Sequence, residues 1–261
     1  MSIVHMISDS DLNVLMQAAA ESETLQDLWE LTEHRLGAPS VHSRRTAYRK
    51  FVQWYLSNDP PTTDAAVLAW HSFSDNRTRQ EVLHLERCRH LVLMDLFVAE
   101  VLYPKLGTES LTLFDEPLYR LDSEEIDSFV RKQLPNLRSE AANRTRDKLR
   151  LLLVRAGLLT RHGGQFEPQW EFSYYRPTPQ AWLYGLYREF EDNGHRQRAE
   201  RYLVEDSRLR RRFLMRGDDV GLLLREGIRR GTLELVQFGG ESYVRLALKD
   251  TAELVTVLAN S

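Results

Sequence analysis

Between Ser123 and Pro168 the chain runs through a capped helix, a turn, a second helix and a hairpin signal, an order that few small folds accommodate. Ser123 opens the first helix with Glu124 and Glu125 in its first turn, where acids favour the helix dipole. Ile126, Phe129 and Val130 form its apolar stripe, and Leu134-Pro135-Asn136 turns the chain. Ser139 caps a second helix reaching about Ala156, with Ala142, Thr145, Leu149, Leu152, Leu153 and Ala156 spaced by three and four. Gly157 is a C-terminal stop. Leu158-Leu159-Thr160 and Gln165-Phe166-Glu167 pair as a hairpin across His162-Gly163-Gly164. This pattern predicts a winged helix-turn-helix.

The face of the second helix opposite its apolar stripe carries Asn143, Arg144, Arg146, Asp147, Lys148 and Arg150, and Arg161 and His162 fall on the wing. Cations flanking a recognition helix bind phosphates, and Arg or Asn near its N-terminus reaches base edges. Double-stranded DNA is therefore the expected partner. Charge distribution agrees. Residues 1–137 hold 13 Lys and Arg against 21 Asp and Glu, whereas 138–261 hold 22 against 17. The net charge of −3 conceals that asymmetry. Winged helices also serve as protein-docking modules, so a scaffold in a multisubunit complex is the alternative, with a transcriptional regulator as a third reading.

The fold class expected for the whole chain is mainly α: an N-terminal helical bundle over 1–120, a winged helix-turn-helix over 121–176, and a C-terminal helical or second winged-helix-like unit over 177–261. Residues 9–36 read as helix, followed by a break at Gly37-Ala38-Pro39-Ser40. A helix over 43–57 turns Ala47, Tyr48, Phe51, Val52, Tyr55 and Leu56 inward; Arg44, Arg45 and Arg49 lie elsewhere and are candidate DNA contacts. Residues 76–103 give the longest helical pattern, apolar on more than one face and so central to a bundle. No strand signal precedes about residue 157. Farther on, Arg208, Arg211 and Arg212 sit in an Arg-rich stretch and are further candidate DNA contacts, with a solvated helix face as the alternative; a helix runs from Asp219 to Arg230, and Leu233–Phe238 and Ser242–Leu248 flank Gly239-Gly240 as a hairpin. The aromatics Trp170, Phe172, Tyr174, Tyr175, Trp182, Tyr184, Tyr187 and Phe190 between the two units read as core, with base stacking as the alternative.

Catalytic signatures are missing from the sequence. It has neither a Gly-x4-Gly-Lys-Ser/Thr loop nor a Gly-x-Ser-x-Gly elbow, and its eight histidines form no His-Glu-x-x-His pair. The single Cys88 excludes an intramolecular disulfide and a multi-cysteine metal site. Ser43–Tyr48 with Phe51 and Trp54, and His195-x-x-Arg198, superficially match tyrosine recombinases, but the chain after Arg155 is too short and too helical for that catalytic domain. No cofactor and no metal are expected, and the chain is expected not to be an enzyme. Without a secretory signal or an apolar run of spanning length, a cytoplasmic location away from membranes is expected.

Arg89–Leu102, then Ile126 and Phe129, then Arg144-Thr145-Arg146-Asp147-Lys148-Leu149-Arg150 and Arg155-Ala156-Gly157-Leu158-Leu159 together resemble the BrxA-like proteins of BREX phage-defence systems. The Thr-x-x-Lys-Leu and Ala-Gly-Leu-Leu elements carry most of the likeness, which covers roughly a third of the chain. The resemblance implies a small, mainly helical, non-catalytic DNA-binding component of a phage-resistance locus, acting with other components of that system. The N-terminal region and the tail beyond Gly194 depart from the family's pattern.

Overall fold

The computed structural model describes residues 7–57, 59–106, 118–163 and 169–260. It is mainly helical, with two small three-stranded antiparallel sheets. The N-terminal part comprises α1 (Asp9–Ala19), α2 (Leu25–Thr32), α3 (Val41–Tyr55), α4 (Ala65–Ser72) and α5 (Asn76–His90). The single helix expected over 9–36 is two helices. Thr24 and Asp27 form a reciprocal capping box that starts α2 afresh, each side chain accepting from the other's backbone N–H.

The long pattern over 76–103 is also broken. Leu91 leaves helical geometry, α6 (Val92–Phe97) restarts, and a π-helical turn (Val98–Leu102) leads into α7 (Tyr103–Lys105). The break gives the two halves different cores. In α5, Leu83 packs with α1–α4, Val82 and Leu85 pack with the C-terminal helices, and Cys88 packs with α6. Residues 92–106 join the core of the middle unit and not the N-terminal bundle, so packing divides the chain near Leu91 where the sequence suggested 120.

The middle unit continues with β1 (Tyr119–Leu121), α8 (Ser123–Gln133), α9 (Ser139–Arg155), β2 (Thr160–His162) and β3 (Gln169–Phe172). Asp122, not Ser123, caps α8 in a capping box with Glu125. Arg138 occupies the N-cap of α9 and Ser139 lies one position inside, so no side chain caps that helix. The apolar stripes of α8 and α9 are buried as the spacing predicts, with Phe129 edge-on to Phe97.

Gly157, at φ 73°, ends α9. Its N–H bonds to the Val154 carbonyl and the Leu158 N–H to the Leu153 carbonyl, which is a Schellman closure. Leu158 and Leu159 are consequently buried in the core, and pairing begins later than the sequence suggested. Thr160 faces Glu171, Arg161 faces Trp170 and His162 faces Gln169. The proposed strand Gln165-Phe166-Glu167 lies outside the described residues. β1, which the sequence did not reveal, pairs with the other edge of β3 and stacks Tyr119 on Phe172.

The C-terminal unit follows a related order with one more helix between strand and hairpin: α10 (Pro179–Asp192), β4 (Gln197–Ala199), α11 (Glu200–Glu205), α12 (Arg208–Arg212), α13 (Gly217–Arg229), β5 (Leu233–Phe238) and β6 (Glu241–Leu246), closed by α14 (Thr251–Ala259) against α4. In both units the first strand joins the second strand of the hairpin, giving orders β1-β3-β2 and β4-β6-β5. Trp182, Tyr184, Tyr187 and Phe190 are fully buried here, in agreement with the core reading of the aromatic segment.

Candidate nucleic-acid interface

A cation serves a phosphate only if no carboxylate already neutralises it, so the partners of each candidate decide its availability. On α9, Asn143 and Arg144 are exposed, and Arg144 pairs with Glu140 one turn earlier. Lys148 is half-buried and has no ion pair among the described residues; burial and then Arg144 lower its pKa.

Arg146 and Arg150 play a different part from the one the sequence suggests. Arg146 donates to both oxygens of Asp127 on α8, at 3.1 and 3.2 Å, and to Asp147 at 3.0 Å. Arg150 is only 8% exposed. It donates to Ser123 Oγ at 2.7 Å and lies 5.3 Å from the centre of the Trp170 ring. Both clamp α8 and the sheet to α9. Helical spacing placed them opposite the apolar stripe, but α8 and Trp170 cover that flank. At the wing, Arg161 stays exposed and also lies near Trp170, 5.9 Å from the ring centre, and His162 sits 3.2 Å from the buried carboxylate of Glu171.

In the C-terminal unit Arg208 is exposed, Arg211 donates to the Asp206 carbonyl at 3.1 Å, and Arg212 is buried on Asp95. Arg212 is therefore withdrawn from the surface, a correction to its candidacy. The start of α13, where a recognition helix would approach phosphates, carries Asp218 and Asp219.

A cluster of cations without carboxylate partners among the described residues lies on α3. Its 15 residues include His42, Arg44, Arg45, Arg49 and Lys50 and no Asp or Glu. His42, Arg45, Arg49 and Gln53 form the exposed stripe, at intervals of three and four. Among the described residues none of Arg44, Arg45, Arg49 and Lys50 has a carboxylate in ion-pair range. Arg44 donates to the Ala38 carbonyl and Lys50 to Gln53. Aromatic rings support two of them: Arg45 over Trp29 at 5.7 Å and Lys50 over Trp54 at 5.8 Å. Beside the stripe, Leu25, Gln26, Trp29, Arg45, Tyr48 and Arg49 line a groove of about 310 Å³. Lys50, which the helical spacing also sets off the apolar face, was not among the expected DNA contacts, although the lack of acids across 41–55 was the available signal. Arg131, Lys132 and Arg138, exposed at the α8–α9 turn, were likewise not singled out.

Among the described residues no three His, Cys, Asp or Glu side chains converge as a metal site, and no helix is long and apolar enough to cross a membrane. No protein-family model, curated protein or solved structure matches the chain.

Proposed function

We propose that this protein is a non-catalytic binder of duplex DNA, with the middle unit a winged helix and the C-terminal unit a winged helix carrying one extra helix between its first strand and its hairpin. The observation that carries this reading is α3, a helix with four Arg and Lys, no acid of its own and no ion pair among the described residues. Such a surface has lost none of its positive potential to neighbours, and releasing counterions from phosphates is what it is suited to do. The middle unit supplies the second contact. The uncapped start of α9, with Arg138, Asn143 and Lys148, meets the duplex, and Arg161 on the wing meets an adjacent phosphate. The resemblance to BrxA-like proteins supports a place in a phage-resistance system of the BREX type, alongside its other components.

Titrating purified, nuclease-treated protein against labelled duplex DNA tests this reading. Affinity should fall linearly in log–log form as salt rises. No binding at low salt would reject it.

A second reading, a protein-docking role, is favoured by the C-terminal unit. Its α13 starts with two acids, and Leu222, Leu235 and Phe238 are exposed. A partner protein recovered after complete nuclease digestion would favour that role for this unit.

A further inference from the structure

The second wing ends in an unguarded sheet edge. β5 is the outer strand of the order β4-β6-β5, and its register with β6 runs unbroken from Leu233↔Leu246 to Phe238↔Glu241. Natural edge strands are blunted by Pro, by Lys or by a bulge. Leu233-Glu234-Leu235-Val236-Gln237-Phe238 has none of these. Its one charge, Glu234, is already neutralised by Arg245 across the ladder. Leu235 is 47% exposed and Phe238 77%.

The hairpin fixes which backbone groups face outward. Gly239 and Gly240, at φ 61° and 85°, form a two-residue turn closed by Phe238 and Glu241. That closing pair exchanges hydrogen bonds, and bonded and non-bonded pairs alternate along an antiparallel ladder. Residues 238, 236 and 234 therefore bond to β6. Leu233, Leu235 and Gln237 turn their N–H and C=O groups to the open edge.

We propose that β5 is a self-association edge, pairing antiparallel with β5 of a second copy about a two-fold axis at Leu235. In this register Leu235 exchanges hydrogen bonds with its own counterpart, and Leu233 with the Gln237 of the second copy. All three outward residues of each strand are then satisfied, and the two sheets become one of six strands. Charge also fits. Each Glu234 faces a Val236, so no like charges oppose one another. A slip of two residues in either direction leaves outward groups unpaired.

Sedimentation equilibrium of the full chain, freed of nucleic acid, tests the proposal. The expected species has twice the 30.5 kDa chain mass. Leu235→Pro removes an outward N–H without touching the β5–β6 ladder, and Leu235→Lys sets two cations face to face. Each should weaken dimerisation at least about tenfold with an unchanged circular dichroism spectrum; if the Pro variant misfolds, the Lys variant still decides. Leu235→Cys should cross-link to its own copy on oxidation, whereas Glu241→Cys should not, since the only native cysteine is buried. A wild-type monomer at about 100 μM, a dimer indifferent to both substitutions, or a dimer without the position-235 cross-link would each overturn it.

Discussion

Arg212 on α12 donates through Nε to Asp95 Oδ1 at 2.7 Å and through Nη2 to Asp95 Oδ2 at 3.3 Å, joining the C-terminal unit to the first helix of the middle unit. The guanidinium is largely buried; burial is the largest single effect and lowers its pKa, but the hydrogen bond to Asp95 together with the charges of Cys88, Asp95 and Glu189 raises it overall. Removing one member of a buried pair leaves the other uncompensated. Arg212→Ala should cost about 3 kcal/mol of unfolding free energy in a urea titration, while DNA affinity of the folded variant stays unchanged. A variant as stable as wild type would show that the pair does not hold the units together.

Leu214 makes the same junction by packing. It has φ 53°, the left-handed region that a branched side chain rarely adopts, yet its side chain is fully buried in the middle core. Its carbonyl accepts from the Tyr175 N–H at 3.1 Å. Leu214→Ala should destabilise by about 2–5 kcal/mol through the cavity. Leu214→Gly opens a similar cavity but relieves the backbone, so it should be no less stable than the Ala variant, reversing the usual order of Ala and Gly. Chemical denaturation of both variants ranks them.

His84 is wholly buried, with Nε2 2.9 Å from the Arg212 carbonyl, and burial lowers its pKa from 6.5 to about 4. The unfolded chain takes up this proton near pH 6.5, and the folded chain refuses it until about pH 4. Its contribution is therefore complete above pH 6.5 and is lost as the pH falls through that window, by about 3 kcal/mol in all. His84→Gln keeps a donor towards the carbonyl without titrating. The variant should show a shallower loss of stability between pH 6.5 and 4; an identical slope would remove His84 as the cause.

The arginines of α9 and α3 should separate cleanly by assay. Arg150→Met loses the bond to Ser123 and the Trp170 contact, so it should cost about 1–3 kcal/mol of stability and leave DNA affinity alone. The triple change Arg45→Gln, Arg49→Gln and Lys50→Gln should cost no more than about 1–2 kcal/mol of stability, from the two lost ring contacts, and flatten the salt dependence of DNA binding by about one unit of slope for each phosphate no longer neutralised. The reverse pattern would reverse the assignment.

Several helix faces and stops were legible because their determinants are local, whereas the restarts at Thr24 and Leu91 were not. The stripe of α9, Gly157 and the glycine pair after Phe238 all act within a few residues. The three-residue strands β1 and β4 are too short to show alternation, and each exists because a hairpin edge was waiting for it. Ion pairing was illegible for another reason. Asp127 and Arg146 are neighbours only after α8 and α9 pack, and Asp95 finds Arg212 from the far end of the chain. The sequence could show which helix was rich in arginine, but not that α9 commits Arg146 and Arg150 to structure while, among the described residues, α3 ties none of its four cations to carboxylates.

Because α5 lends side chains to all three cores, no unit owns its own foundation. A fragment starting after His90 would keep two hairpins and lose the strut beneath both, so truncation cannot dissect this protein into independently folding readers. Its units would melt together in one transition, and a ligand gripping α3 would steady the distant wings through the same helix.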